Sequence, residues 1–341
     1  MTHFAVLWRR VAWSRRASLG AALLGLLALL GVFAELLAAP APIAWLGPRG
    51  VEILPAVVDA DAIESLDRHA LAARYTDGTG LWPLVRHGPT HPTEAGPNAS
   101  PSRAHPLGTD AEARDLAARL VYGARTALGL SLSAVLLGML LGVILGGLAG
   151  TYRGFWNDRL VRLVETVDTF PAIIIVALVR AIEREPSALS LVVAVAIVRW
   201  AEIARLVRAE VLRASTEDYV LAAKALGCTE LRVFYRHILP NAIGPVIVSS
   251  VFGVASIVLL EATISFLPMG SPTPAASWGE TLAQAARHPG ELRLLLLPGS
   301  LLLLTVGGTY LLADALRDAV DARTVRTRDA RVPLASGPEP G

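Results

Sequence analysis

The chain has 341 residues, 53% hydrophobic, 6% aromatic and 18% charged, with a formal net charge of +2 and a mean hydropathy of +0.52. Leu, Val and Ala supply the apolar mass, a profile that excludes an ordinary water-soluble domain and points to the bilayer. The single cysteine, Cys228, excludes an intramolecular disulfide, and charges so nearly balanced leave no basic surface for nucleic acid.

Segment 1–16 places Arg9, Arg10, Arg15 and Arg16 ahead of an apolar run, 17–39, that is interrupted only by Glu35. The run ends in LLAAPAP, like a signal cleavage site, and SRRASL hints at twin-arginine export. It is long for a signal, and a chain with further spans gains nothing from losing its first anchor, so a retained span is expected. Residues 40–116 differ in character: many Pro and Gly, ten acidic against six basic residues, and one amphipathic helix predicted over 59–75. So little apolar surface predicts a partly ordered extracytoplasmic insert without a core of its own. His87 and His91 in its Pro-rich end are not expected to hold a metal. Thr109 with Glu112 has the spacing of a capping box and predicts the start of a long helix.

The uncharged runs 126–152, 238–260 and 294–313 can each cross about 30 Å of hydrocarbon as a helix. Two weaker candidates, 163–182 and 186–207, have charge-free centres of only 169–179 and 186–198; they are either re-entrant or buried inside a bundle, and burial is the expectation for both. The charged connection EREPS between them, with Glu183, Arg184 and Glu185, suggests no function. With six spans and an inner N-terminus, segments 1–16, 150–162, 199–240 and 314–341 hold 19 Lys and Arg, against 4 in the short outer loops 180–187 and 266–293. That asymmetry predicts both tails and the hairpin 215–239 in the cytoplasm. In the second span Gly138, Gly142, Gly146 and Gly150 recur every four residues, a small-residue face on which another helix backbone can pack closely.

Between the fourth and fifth spans, EDYVLAAKALGCTELRVFYRHILPN reads as two short helices. Ser215 with Asp218 predicts a capped start near 216, Gly227 ends the first helix, and a second from Thr229 to Ile238 should stop at Pro240. Ala222 and Ala223, between Tyr219 and Leu226, predict a bare face suited to another protein's groove. Lys224, Arg232 and Arg236 balance Glu217, Asp218 and Glu230, which favours a protein partner over a charged lipid surface.

YVLAAKALG followed by RHILPN resembles the EAA loop of binding-protein-dependent ABC importer permeases, in which such a hairpin docks on a cytoplasmic ATPase. HPLGTDAEARDLAARLVYGAR, SWGETLAQA and LLADALRDAVDAR are similar to the dipeptide and oligopeptide branch, so the resemblance covers roughly 105–323. That branch reads GRD where this chain has Ala113, Arg114 and Asp115, and SFLGLG where it has SFLPMG with Pro268. The resemblance implies an all-α polytopic membrane protein with six transmembrane helices, the type I importer permease fold: a first span 17–39, a core 117–316 and a cytoplasmic tail 317–341.

The same resemblance implies a transport subunit of the bacterial inner membrane, embedded in the lipid bilayer, with no catalytic site, metal or cofactor. The implied partners are a homologous second permease, two cytoplasmic ABC ATPase subunits and an extracytoplasmic solute-binding protein. The implied cargo is a di- or oligopeptide or a similar small solute such as a nickel chelate. ATPase coupling is implied for Glu217, Tyr219, Ala222, Ala223 and Gly227, with His237, Pro240 and Asn241 at the hairpin exit. Glu261, in EATISF where the family reads EASLSF, is a carboxylate within a span; it either lines the translocation path or hydrogen-bonds a neighbouring helix. Arg199 and Glu202 are expected as an ion pair at the inner boundary. The only lysine, Lys224, does not follow a glycine, so no Walker-type phosphate loop exists and ATP must be hydrolysed on another chain. A secondary transporter would have no use for the hairpin. An intramembrane enzyme built on Cys228 and His237 lacks a geometry that brings them together.

Overall fold

The computed structural model describes residues 14–48, 50–66, 68–152, 154–183, 187–267, 269 and 275–329. Arg9, Arg10, Arg184, Glu185, Pro268 and the tail beyond 329 lie outside the described residues.

The first apolar run forms α1 (Arg15–Val32), started by Ser14, whose hydroxyl accepts from the Ala17 N–H. Its Leu19, Leu26, Leu29 and Val32 are more than half exposed, as suits a lipid-facing surface. A single further turn, α2 (Ala34–Leu37), contains the interrupting Glu35, which takes two hydrogen bonds of 2.6 Å from Arg125.

The insert is better ordered than its composition predicts. Strands β1 (Ala44–Gly47), β2 (Gly50–Ile53) and β3 (Thr79–Leu81) make an antiparallel sheet in the order β2-β1-β3. Trp45 on one face stands edge-on to Tyr75 and Trp82, with centroids 5.4 and 6.2 Å away, and Ile63 and Leu71 complete a small core. Large aromatic rings bury far more area per residue than a count of apolar positions suggests, which is why the expectation of no core fails. Burial pushes the Tyr75 phenol up to about 12. After α3 (Pro55–Val58), the helix predicted over 59–75 is split into α4 (Ala60–Ser65) and α5 (Arg68–Arg74) by the extended backbone of Leu66. The break lets Ile63 and Leu71 both face the same core.

Thr109 caps no helix: its hydroxyl donates to the Gly96 carbonyl and accepts from the Ala99 N–H. The long helix α6 (Leu116–Thr151) begins instead at Asp115, whose carboxylate accepts from the Ala118 N–H. Glu112 pairs with Arg114. The glycine face of α6 then meets the fourth span as its spacing predicts, and a Cβ at Gly146 would lie 2.3 Å from the Ala204 carbonyl oxygen.

The third candidate span is not continuous, and it is buried on one side only, through Val176 and Arg180. Pro171 supplies no N–H and separates α7 (Phe155–Thr169) from α8 (Ala172–Ile182). α8 alone rises only about 16 Å, and Phe170, Ile174, Leu178 and Ile182 are more than half exposed. The fourth, α9 (Ala188–Ala214), starts in a Ser187/Ser190 capping box and does lie inside, burying Leu191, Val195, Trp200 and Ile203 along α6. The hairpin follows as α10 (Asp218–Ala225) and α11 (Glu230–Val233), leading through a π turn into α12 (Leu239–Phe266).

α13 (Trp278–Arg287) and α14 (Leu292–Asp329) complete the bundle. Trp278 is fully buried, its indole N–H donates to the Leu120 carbonyl at 2.9 Å, and its ring occupies the space left by Gly123. Beside it a buried ionic cluster joins the insert to α13: Arg114 reaches Asp110 at 2.8 Å and Glu280 at 2.7 Å, and Arg119 pairs with the same Glu280. Burial alone would lower the Arg114 pKa, and Asp110 and Glu280 more than reverse that. The bundle therefore has two distinct ends, one carrying the insert and this ionic cluster, the other the hairpin.

Candidate coupling hairpin and its seat

The hairpin starts two residues later than its sequence suggests. Ser215 ends α9, its hydroxyl donating to the Leu212 carbonyl, and Glu217 takes the N-cap position of α10 in extended backbone. Asp218 stands in the first turn of α10, where its charge favours the helix end. Glu217 lies 3.9 Å from Arg213, which Glu210 holds at 2.7 Å. That Glu210 hydrogen bond pushes the Arg213 pKa up.

Gly227 adopts φ +81°, a conformation that a side chain disfavours. Its turn lets the Cys228 N–H donate to the Ala223 carbonyl and the Gly227 N–H to the Lys224 carbonyl, satisfying groups the helix end leaves open. Lys224 and Glu230, 2.8 Å apart, clamp the two arms together. Thr229 caps α11 by accepting from the Arg232 N–H.

Pro240 does not stop the second arm. Phe234–Ile238 form a π turn in which the Leu239 N–H reaches back to the Phe234 carbonyl, so Pro240 falls in the first turn of α12, where its missing N–H matters least. Asn241 reinforces the join by donating to the His237 carbonyl at 2.9 Å. His237, Pro240 and Asn241 thus sit inside a continuous helical rod, Glu230–Phe266.

The hairpin is seated by its own apolar residues. Val220, Ala223, Val233, Phe234 and Ile238 pack with Val207, Val211 and Ala214 of α9 and Val246 of α12. The Phe234 ring lies over Gly147 of α6, where an added Cβ would come within 2.4 Å of it. Tyr219 and Cys228 pack at the edge of this seat.

Ala223 is therefore 6% exposed and faces its own chain, while Ala222 is exposed. The bare face expected to carry both alanines carries Ala222 alone, flanked by Leu221, Leu226, Leu231 and Tyr235, all about half exposed or more. Sequence reading missed Leu221, Leu231 and Tyr235 as surface residues. The available signal was apolar residues on both sides of helices too short to be buried all round, with Leu231 and Tyr235 four apart.

Two further candidates lie in the spans. Glu261 is 1% exposed; its Oε1 accepts from Ser265 at 2.8 Å and from Ser277 at 2.9 Å, which places it in the seam between α12 and the cap of α13. Arg199 and Glu202 do form an ion pair, but midway along α9 and not at its end. Glu202 also accepts from the Ser249 hydroxyl at 3.0 Å, and Arg199 lies against Gly253, so the pair bridges α9 and α12.

The family model described as the binding-protein-dependent transport system inner membrane component matches residues 138–326, which include the whole hairpin. This chain belongs to that family. The permease is 36% identical over 225 residues to the dipeptide transport system permease protein of Alkalihalophilus pseudofirmus, covering 65% of this chain and 73% of that one. It is 32% identical over 228 residues to the oligopeptide transport system permease protein of Bacillus subtilis, with the same two coverages. A crystal structure of an amino acid ABC transporter with histidines superposes with a TM-score of 0.44, at 17% identity, over 61% of this chain and 94% of its own. The permease is thus a multi-pass inner-membrane transport subunit and not an enzyme; ATP hydrolysis belongs to a separate subunit. It works with a partner permease, an ATPase and a binding protein.

Proposed function

We propose that this permease forms half of the translocation path for di- or oligopeptides or similar small solutes. One hairpin per permease docks on one of two ATPases, with the hairpin end and both termini in the cytoplasm. The cargo class is supported by the names of the two relatives. The orientation is supported by the concentration of Lys and Arg in the segments at the hairpin end.

The observation that carries the reading is mechanical. The hairpin is fastened to α9 through its apolar seat and runs without a break into α12, yet it leaves Leu221, Ala222, Leu226 and Leu231 uncovered. When ATP binding closes the ATPases, the hairpins are drawn together and the spans tip from inward-open to outward-open, a population shift biased from outside the bilayer. Reversing such an equilibrium from 1:99 to 99:1 takes about 5.5 kcal/mol. A hairpin that peeled away for less would absorb the stroke. Val220, Val233, Phe234 and Ile238 are each at most 4% exposed; at roughly 1.5–3 kcal/mol per buried side chain, the seat exceeds that requirement.

The test is reconstitution of the permease with its binding protein, partner permease and ATPases in vesicles, following labelled dipeptide, hexapeptide and nickel chelate. ATP-dependent uptake of a peptide is expected; uptake that persists without ATP overturns the reading. A membrane-impermeant maleimide applied to intact cells should leave Cys228 unlabelled, and labelling from outside would invert the topology.

A further inference from the structure

In the hairpin-side half of the bundle, α9, α12 and α14 line an open cleft of about 530 Å³, a volume within the range of small-molecule sites. Its lining is of two kinds. Leu206, Pro245, Val248 and Val320 supply apolar surface, while Glu202 and Arg205 from α9 and Arg317 and Asp321 from α14 supply charge. Those side chains are accessible: Arg205 is 59% exposed, Arg317 65% and Asp321 66%. The signs cancel and each helix offers one of each, so the cleft is not an anion site. A ligand with one ammonium, one carboxylate and an apolar body matches it.

A second observation comes from inside the span. Glu202 and Ser249 line the cleft and also belong to the Arg199–Glu202–Ser249 cluster midway along α9. Ionisable groups at that depth mark polar routes through membrane proteins. The cleft therefore opens onto a charged cluster between the central helices, not onto a sealed apolar core.

We infer that this cleft holds a short zwitterionic peptide on the cytoplasmic side, its carboxylate on Arg205 and Arg317 and its ammonium on Glu202 and Asp321. This rests on the peptide-import reading and adds a release site to it. Asp168 already pairs with Arg205, and Arg317 lies 3.7 Å from Asp321, so the ligand competes with existing ion pairs and binding is weak, as release requires.

The full chain in phosphatidylcholine nanodiscs, without binding protein or ATPase, would be titrated with trialanine and with N-acetyl-trialanine amide. Saturable trialanine binding is expected, about a hundredfold tighter than the capped peptide, which lacks both charge-assisted contacts at about tenfold each. Glu202→Gln and Arg317→Gln should each weaken trialanine about tenfold and leave the capped peptide unchanged. Arg317 is exposed, so its variant keeps the test sound if Glu202→Gln folds poorly. Equal binding of the two peptides, no saturable binding, or an unaffected Arg317→Gln overturns the inference. ATP-driven uptake by the complete importer is measured alongside: peptide uptake without cleft binding sinks this inference alone, and absence of uptake of any peptide sinks the reading beneath it.

Discussion

Glutamate at Ala222 and glutamate at Ala223 should fail in different ways although the residues are adjacent. Ala223 lies inside the seat against Val220, Val233 and Phe234, and its carbonyl holds the Cys228 N–H. A longer side chain there overpacks the site by roughly 1–3 kcal/mol, and an uncompensated buried carboxylate adds several kcal/mol more. Together these approach the strength of the seat, so the hairpin should detach. Ala222 is exposed; the same substitution there should change stability by no more than about 0.5 kcal/mol. On the proposed docking face, however, it should remove at least about 2 kcal/mol of ATPase binding, roughly 30-fold. Two assays separate the outcomes: the maleimide reaction rate of half-buried Cys228 in inverted vesicles reports the seat, and co-purification of the ATPase reports docking. Ala223→Glu should label at least about tenfold faster than wild type as its opening free energy falls. Ala222→Glu should label normally yet lose the ATPase, and both should end uptake. An Ala223→Glu protein labelled at the wild-type rate, or an Ala222→Glu protein that retains its ATPase, would refute the assignment of inner and outer faces.

Gly227→Ala forces a side chain into φ +81°, at a cost of roughly 1–2 kcal/mol; uptake should fall without vanishing, whereas Gly227→Pro should end it while the protein remains inserted on membrane fractionation. Gly146→Val should prevent assembly of the bundle, because a Cβ there meets the Ala204 backbone, while Gly129→Ala, with nothing within 4 Å, should raise the Tm of the purified protein slightly. Glu261→Gln keeps an acceptor for Ser265 and Ser277 and should preserve uptake, while Glu261→Ala should destabilise by about 1–3 kcal/mol in a thermal melt; uptake lost in the Gln variant would move the carboxylate into the translocation path. Glu280→Gln leaves Arg114 and Arg119 short of a buried counter-charge and should cost about 3–5 kcal/mol, read as a lower Tm that a second change, Arg114→Met, partly restores.

Much of the fold was legible because lipid imposes a one-dimensional code. Uncharged runs long enough to span, a glycine every fourth residue and a glycine between two short helices each state a local requirement, and α6, α12, α14 and the turn at Gly227 satisfy them. Where two local signals competed, pattern reading failed. Pro240 reads as a stop, yet the π turn before it absorbs the missing N–H. Thr109 and Glu112 read as a cap, yet loop contacts to Gly96 and Ala99 claim the Thr109 hydroxyl. The third span reads as one buried helix, yet Pro171 divides it, and α8 buries only the side that carries Val176 while Ile174, Leu178 and Ile182 stay exposed.

By itself the sequence determined the solvent, the length and number of the strongest spans, the place of the hairpin and its hinge, because each depends on residues close together in the chain. Tertiary structure alone decided that Ala223 faces inward and Ala222 outward, and that Glu261 meets Ser277. It also placed Arg199 and Glu202 between α9 and α12, and brought Trp45 against Tyr75 and Trp82 to give the insert a core. Burial and hydrogen bonding are set by whichever surface arrives from elsewhere in the chain: Ser277 lies 16 residues from Glu261, and Ser249 lies 47 from Glu202.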